Sequence, residues 1–233
     1  AGVWPQKESL AMTAPLPPQS PQPSASLARA AWRQAGRSAL ILLVFATLTT
    51  LLLGGAHLLT RDTIAANQAA QRRALLAQTL PPALYDNDLL ATATLLLPLQ
   101  AAQLGNEGED SHLYRATLHG KLSAWVVEAT APNGYAGKIR LLVGVRADGV
   151  VMGVRVVQHR ETPGLGDYIE AGKSDWISQF VGRRYDTPAA WAVKKDGGQF
   201  DARAGATVSP RAVIGAVVRV LVFLRAEADS VGL

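Results

Sequence analysis

Between Ala39 and Leu59 the chain reads ALILLVFATLTTLLLGGAHLL, without one charged residue. A run of about 21 residues spans about 31 Å as a helix, which matches the hydrocarbon core of a bilayer. Arg29, Arg33 and Arg37 precede it, whereas Arg61 and Asp62 behind it nearly cancel. Basic residues favour the cytoplasmic side of a span, so the reading is a single-pass helix over 39–59 with its N-terminus cytoplasmic. Everything beyond residue 60 is then external, and periplasmic where the cell is Gram-negative. A cleaved export signal has the same order of basic and apolar parts, but its apolar region is shorter.

The formal charge of +5 belongs largely to this flank. Residues 1–60 carry Lys7, Arg29, Arg33 and Arg37 against Glu8 alone, a surplus of +3. The remaining 173 residues share +2, which suits membrane topology and argues against nucleic acid as a partner. The chain has no cysteine, which excludes disulfides, thiolate-held iron–sulfur clusters and cysteine-based zinc sites. Any redox chemistry must use an organic or haem cofactor held in another way.

Residues 1–38 read as a basic arm without a core. Its first 26 residues interleave Pro5, Pro15, Pro17, Pro18, Pro21 and Pro23 with Ser, Gln and Ala, a composition that stays disordered. Residues 60–112 read as a juxtamembrane helix over Thr63–Leu80, stopped by Pro81-Pro82, followed by a connector. From Leu113 the pattern changes to alternation. Leu113–His119, Ala124–Thr130 and Ile139–Val145 predict strands, and Asp148-Gly149 predicts a hairpin into Val150–Gln158. A short helix is expected at Ser174–Val181 and a long one from Pro210 to about Glu227, whose apolar face would cover one side of the sheet. The expected fold is an α+β domain over 113–233 behind a single membrane helix.

Two loops in that domain carry chemistry. In Asp201-Ala202-Arg203-Ala204-Gly205-Ala206-Thr207, a hydroxyl follows two tiny residues just before the long helix. Ser209 is a good N-cap and Pro210 suits a first turn, so the helix is expected to start at one of them, with its free N–H groups facing Thr207. That is an anion site, with Gly205 and Ala206 leaving room for a bulky partner. Taken alone, the same residues read first as a tight turn entering a capped helix. The second loop, Glu161-Thr162-Pro163-Gly164-Leu165-Gly166, follows the hairpin and could present N–H groups and the Thr162 hydroxyl to a flat polar ligand.

Asp-x-x-x-Gly-Ala-Thr, with Ala204 where a hydroxyl residue is usual, resembles the flavinylation pattern of the FMN-binding domain family. That domain is shared by the RnfG subunit of Rnf electron-transport complexes and the NqrC subunit of sodium-pumping quinone reductases. Glu161–Gly166 behind His159, Gly134-Tyr135-Ala136-Gly137, Trp176 with Phe180, and Lys194–Gly198 continue the likeness in the right order. The resemblance implies covalent FMN, esterified through its phosphate to Thr207, with Gly205 and Ala206 shaping the turn. Glu161, Thr162, Gly164 and Leu165 would line the ribityl and ring region, and Asp201 would belong to the pattern read by a separate flavin transferase that takes FMN from FAD. It implies an electron carrier in the bacterial inner membrane with a periplasmic FMN domain. Its partners would be the other membrane and peripheral subunits, a second flavin-bearing one among them, in a complex coupling electron transfer between ferredoxin and NAD to Na+ or H+ movement. An NqrC-like subunit of a quinone-reducing complex has the same chemistry. Two other classes fit the residues without the resemblance: a tethered hydrolase using Thr207 or Ser209, which lacks a suitably spaced base, and a tethered binding module without a chromophore.

Overall fold

The structure is a computed structural model and describes residues 25–231. The proline-rich part of the expected arm, up to residue 24, lies outside the described residues. Two compact units divide between Asp62 and Thr63.

Helix α1 covers Ala25–Ala77. It starts within the stretch read as arm, because Ala25–Arg37 is dominated by Ala with Arg and Gln, all strong helix formers. The two helices read from the sequence over 39–59 and 63–80 are one element, since Arg61-Asp62 interrupts hydrophobicity but not helix propensity. Its apolar run is exposed on every side, the large hydrophobic residues from Leu40 to Leu53 being 58–69 % accessible. The hydroxyls of Thr47, Thr49 and Thr60 donate to the carbonyls of Leu43, Phe45 and Ala56 at 2.8–2.9 Å, so these polar groups are satisfied without water. An exposed apolar stretch of this length with internally paired hydroxyls is built for lipid.

The second unit is an antiparallel meander with strands in sequence order: β1 (Thr94–Leu95), β2 (His112–Leu118), β3 (Lys121–Ala131), β4 (Ile139–Arg146) and β5 (Val151–Gln158). The sheet therefore begins inside the expected connector, with a two-residue edge strand followed by the short helix α2 (Pro98–Gln103). His119 and Gly120, at φ 52° and 76°, close the two-residue turn between β2 and β3. Asp148-Gly149 closes the hairpin between β4 and β5 as its sequence predicts.

Both faces of the sheet are covered. Val127, Leu141 and Val143 point to the side on which Val213, Val217 and Val220 of helix α3 (Val208–Val231) pack. Tyr114, Val126 and Leu142 point to the other side and meet Leu76 and Leu80. There, the facing residues Gly144 and Gly153 leave a gap filled by the Thr79 carbonyl; a Cβ at either would lie 2.3 Å or 2.7 Å from that oxygen. Between β5 and α3 the chain runs in short 3-10 turns. One of these, Asp175–Phe180, is the short helix expected at Ser174–Val181, wound as a 3-10 helix. Ser174 caps it by accepting from Trp176 N–H, and it ends at Val181, whose backbone is extended, before Gly182 turns at φ 79°.

Candidate functional site

Helix α3 begins one residue before the expected Ser209. Its first residue is Val208, and the Thr207 carbonyl accepts the N–H of Arg211, so Thr207 is the N-cap. Ser209 lies in the first turn, buried, and its hydroxyl turns inward to donate to Glu161 Oε2 at 2.5 Å. Thr207 itself is half-buried, and its hydroxyl takes part in a solvent-exposed hydrogen bond.

The segment before it is a tight turn. Ala206 N–H donates to the Arg203 carbonyl at 3.1 Å, and Gly205 sits at φ 80°, a conformation that L side chains rarely adopt. Open space surrounds Gly205, so backbone conformation is what demands glycine there. Tyr168 holds the turn from below: its hydroxyl donates to the Ala206 carbonyl at 2.8 Å and accepts from Arg203 N–H at 3.2 Å, while the Arg203 guanidinium lies 4.7 Å from its ring centre. Burial pushes the Tyr168 phenol pKa up, against a smaller opposing effect of Arg203, so it remains a neutral donor.

Glu161 is only 4 % exposed, and its carboxylate joins three segments. Oε1 accepts Ala136 N–H at 3.1 Å, Oε2 accepts the Ser209 hydroxyl, and its own N–H donates to His159 Nδ1 at 2.9 Å. Two glycines make room for it. A Cβ on Gly134 would stand 2.9 Å from Oε1, and one on Gly166 would stand 2.8 Å from Oε2. The Gly134–Gly137, Glu161–Gly166 and α3 segments, far apart in sequence, are thus gathered at one buried carboxylate.

Above this joint lies a cleft of about 110 Å³. Glu161, Thr162, Leu165, Gly205 and Ala206 all contribute to its walls. Tyr135, Leu165 and Val208 form an apolar rim, exposed by 71 %, 46 % and 42 %. Gly164 stands apart from these walls at the tip of the Thr162 turn, at φ 76°. Asp201 also lies off the cleft; its carboxylate pairs with Lys194 at 2.6 Å, and its backbone accepts Trp176 Nε1–H and donates to Gln179 Oε1. Trp176 and Trp191 are buried with Phe180 and Phe200 in an aromatic cluster with ring centres 4.7–6.1 Å apart.

One residue missed in the sequence stands beside Thr207. Arg211 Nη1 donates to Thr207 Oγ1 at 2.9 Å, while its Nε and Nη2 grip Asp196 at 2.6 Å and 2.8 Å. This side-on pairing lowers the Asp196 pKa and raises that of Arg211. The spacing of four from Thr207 was visible on a helix surface. Asp196, fifteen residues away on the 3-10 turn Lys194–Asp196, was not.

Comparison with known proteins locates the same two regions. Residues 134–222 match the family model of the FMN-binding domain, and residues 30–79 match that of the RnfG N-terminal region. The G subunit of the ion-translocating oxidoreductase complex of Photorhabdus laumondii is 47 % identical over 191 residues, 81 % of this chain and 90 % of that one. Its counterpart in Pseudomonas aeruginosa is 46 % identical over 195 residues, 83 % of this chain and 90 % of that one. That of Vibrio atlanticus is 43 % identical over 183 residues, 78 % of this chain and 86 % of that one.

Proposed function

The chain belongs to the RnfG family, the G subunits of ion-translocating oxidoreductase complexes, and on that premise we propose that it is a membrane-anchored electron carrier whose FMN is esterified through its phosphate to Thr207. The observation that carries this reading is the setting of the Thr207 hydroxyl. It belongs to the N-cap residue of a long helix, accepts an N–H from the Arg211 guanidinium, and stands next to a cleft rimmed by exposed Tyr135, Leu165 and Val208. The residues present fit a phosphate-linked flavin. The helix start and Arg211 suit an anion on Thr207, and the apolar rim suits one face of a flat ring.

Bound FMN accepts and donates electrons singly or in pairs. The protein's part is to hold and position it. Thr207 supplies the tether, and Gly205 sets the turn that presents it. The Thr162 hydroxyl and the Thr162–Gly166 loop border the ligand, and Glu161 locks that loop to α3. At about 110 Å³ the cleft is well below the roughly 300–1,000 Å³ of an enclosing ligand pocket, so much of a ring seated there stays at the surface. Such exposure suits a relay, because neighbouring carriers can approach the ring closely. Asp201, off the cleft and exposed beside Lys194, is accessible to a flavin transferase.

In this reading the arginines ahead of the span lie in the cytoplasm. The outer flank is neutralised by the Arg61–Asp62 ion pair at 3.4 Å, and the domain from about residue 113 to the end carries FMN on the periplasmic side of the inner membrane. The partners are the other Rnf-type subunits, including a second flavin-bearing one, and the work is electron transfer between ferredoxin and NAD coupled to Na+ or H+ movement. The test is a denaturing gel of protein made beside an active flavin transferase. The wild-type band fluoresces as flavin and the Thr207→Val band does not; a dark wild-type band, or a fluorescent variant band, overturns the assignment.

A further inference from the structure

The Arg211–Asp196 pair has a geometry that stability alone does not explain. Both side chains are about two-fifths exposed, and exposed ion pairs contribute little to folding. Yet two parallel hydrogen bonds fix the plane of the guanidinium, and its remaining Nη1 edge points at Thr207 Oγ1. Asp196 is itself well anchored. Its turn ends at Gly197 at φ 87°, and Lys194 N–H donates to the Phe200 carbonyl at 2.7 Å beside the fully buried Val193 and Phe200. The brace therefore runs from the aromatic core through Asp196 to Arg211 and ends on the hydroxyl.

We infer that Arg211, braced by Asp196, is the positioning residue for the covalent phosphate: it aims the Thr207 hydroxyl for attachment and then pairs with the resulting phosphodiester. The inference rests on the covalent reading of Thr207. In attachment, Thr207 Oγ bonds to the flavin-side phosphorus of FAD as the pyrophosphate P–O bond breaks. AMP departs, the hydroxyl proton passes to the transferase or to water, and no electrons change hands. Because Arg211 donates to Oγ, the threonine proton remains free for removal, and negative charge developing on the oxygens is met by a fixed cation. The product is a phosphodiester with one negative charge, which the Nη1 edge matches, while Asp196 keeps the guanidinium from turning into solvent.

The test follows flavin incorporation over time by intact-protein mass spectrometry. Full-length wild type, Arg211→Gln and Asp196→Asn are each presented with FAD and the transferase. The 31P resonance is then recorded on the fraction that loads. Arg211→Gln is expected to load about tenfold more slowly or worse, the order of one charge-assisted hydrogen bond. Its 31P resonance is expected to shift, with an unchanged melting temperature. Asp196→Asn falls between, and Arg211→Lys recovers part of the rate. Loading rates and 31P positions equal to wild type in Arg211→Gln overturn the inference and leave the covalent reading standing. A wild type that never gains flavin mass overturns the covalent reading and the inference with it. A variant whose melting temperature falls is judged by Asp196→Asn, which leaves Arg211 in place; if that variant loads and resonates as wild type does, the brace has no such role.

Discussion

The Ser209 hydroxyl and the Glu161 carboxylate meet at 2.5 Å in the interior, binding the first turn of α3 to the loop that follows β5. Ser209→Ala removes the donor and leaves a buried carboxylate oxygen short of a partner, which costs about 1–3 kcal/mol. Glu161→Ala costs more, because it also strands Ala136 N–H and opens a hole between Gly134 and Gly166. Urea unfolding of the two variants checks the order, which fails if Ser209→Ala is the worse of the two.

Gly166→Ala and Gly205→Ala separate crowding from backbone strain. At Gly166 the φ of −97° suits any residue, but the new methyl collides with Glu161 Oε2 and Ser209 Oγ, and overpacking of this kind costs roughly 1–3 kcal/mol. Gly205 has open space and φ 80°, so alanine there costs about 1–2 kcal/mol through conformation alone. Thermal melts should show both losses. A d-alanine at position 205, introduced by semisynthesis, should recover the second but would leave the first untouched at position 166.

Phe200→Ala should cost about 3–5 kcal/mol, since the ring is fully buried among Phe180 and Trp191. It should also loosen the turn bearing Asp196 and the start of the Asp201–Thr207 segment, because Phe200 bridges to Val193. Amide hydrogen exchange is the measurement: faster exchange at Lys194 and Phe200 than in wild type is expected, and unchanged protection there would contradict it.

The Asp196 carboxyl carries the pH dependence of the brace. Its hydrogen bond and charge contact with Arg211 hold its pKa below the ordinary carboxylate value of 3.8. A depressed folded-state pKa means that the pairing is fully present above the ordinary value and is lost only as pH falls through the lowered one. The brace is therefore intact across neutral and mildly acidic pH. An NMR titration should place the Asp196 midpoint below 3.8 in wild type and return it toward that value in Arg211→Gln.

The span, the four main strands, the Asp-Gly hairpin and the long C-terminal helix were legible because each rests on local periodicity or turn chemistry. What sequence missed depends on contacts at a distance. Ser209 has the right residue type for a cap, but Glu161, 48 positions away, draws its hydroxyl inward and Thr207 takes the cap instead. Thr94-Leu95 is a strand only because β2 offers it an edge, and Gly144 and Gly153 matter only because Thr79 presses on them. Thr162, Leu165, Gly205 and Ala206, singled out by motif, line one cleft, whereas Arg211 reads as one more charge on a helix until its pairing with Asp196 is in view.

The claim on which the rest depends is the ester at Thr207. Peptide mass spectrometry of the membrane-inserted protein, expressed with its transferase and digested, measures it directly. The expected result is a peptide heavier by FMN less one water, with fragment ions placing the addition on Thr207. An unmodified Thr207 peptide at full occupancy, or the same addition on another residue, would contradict it.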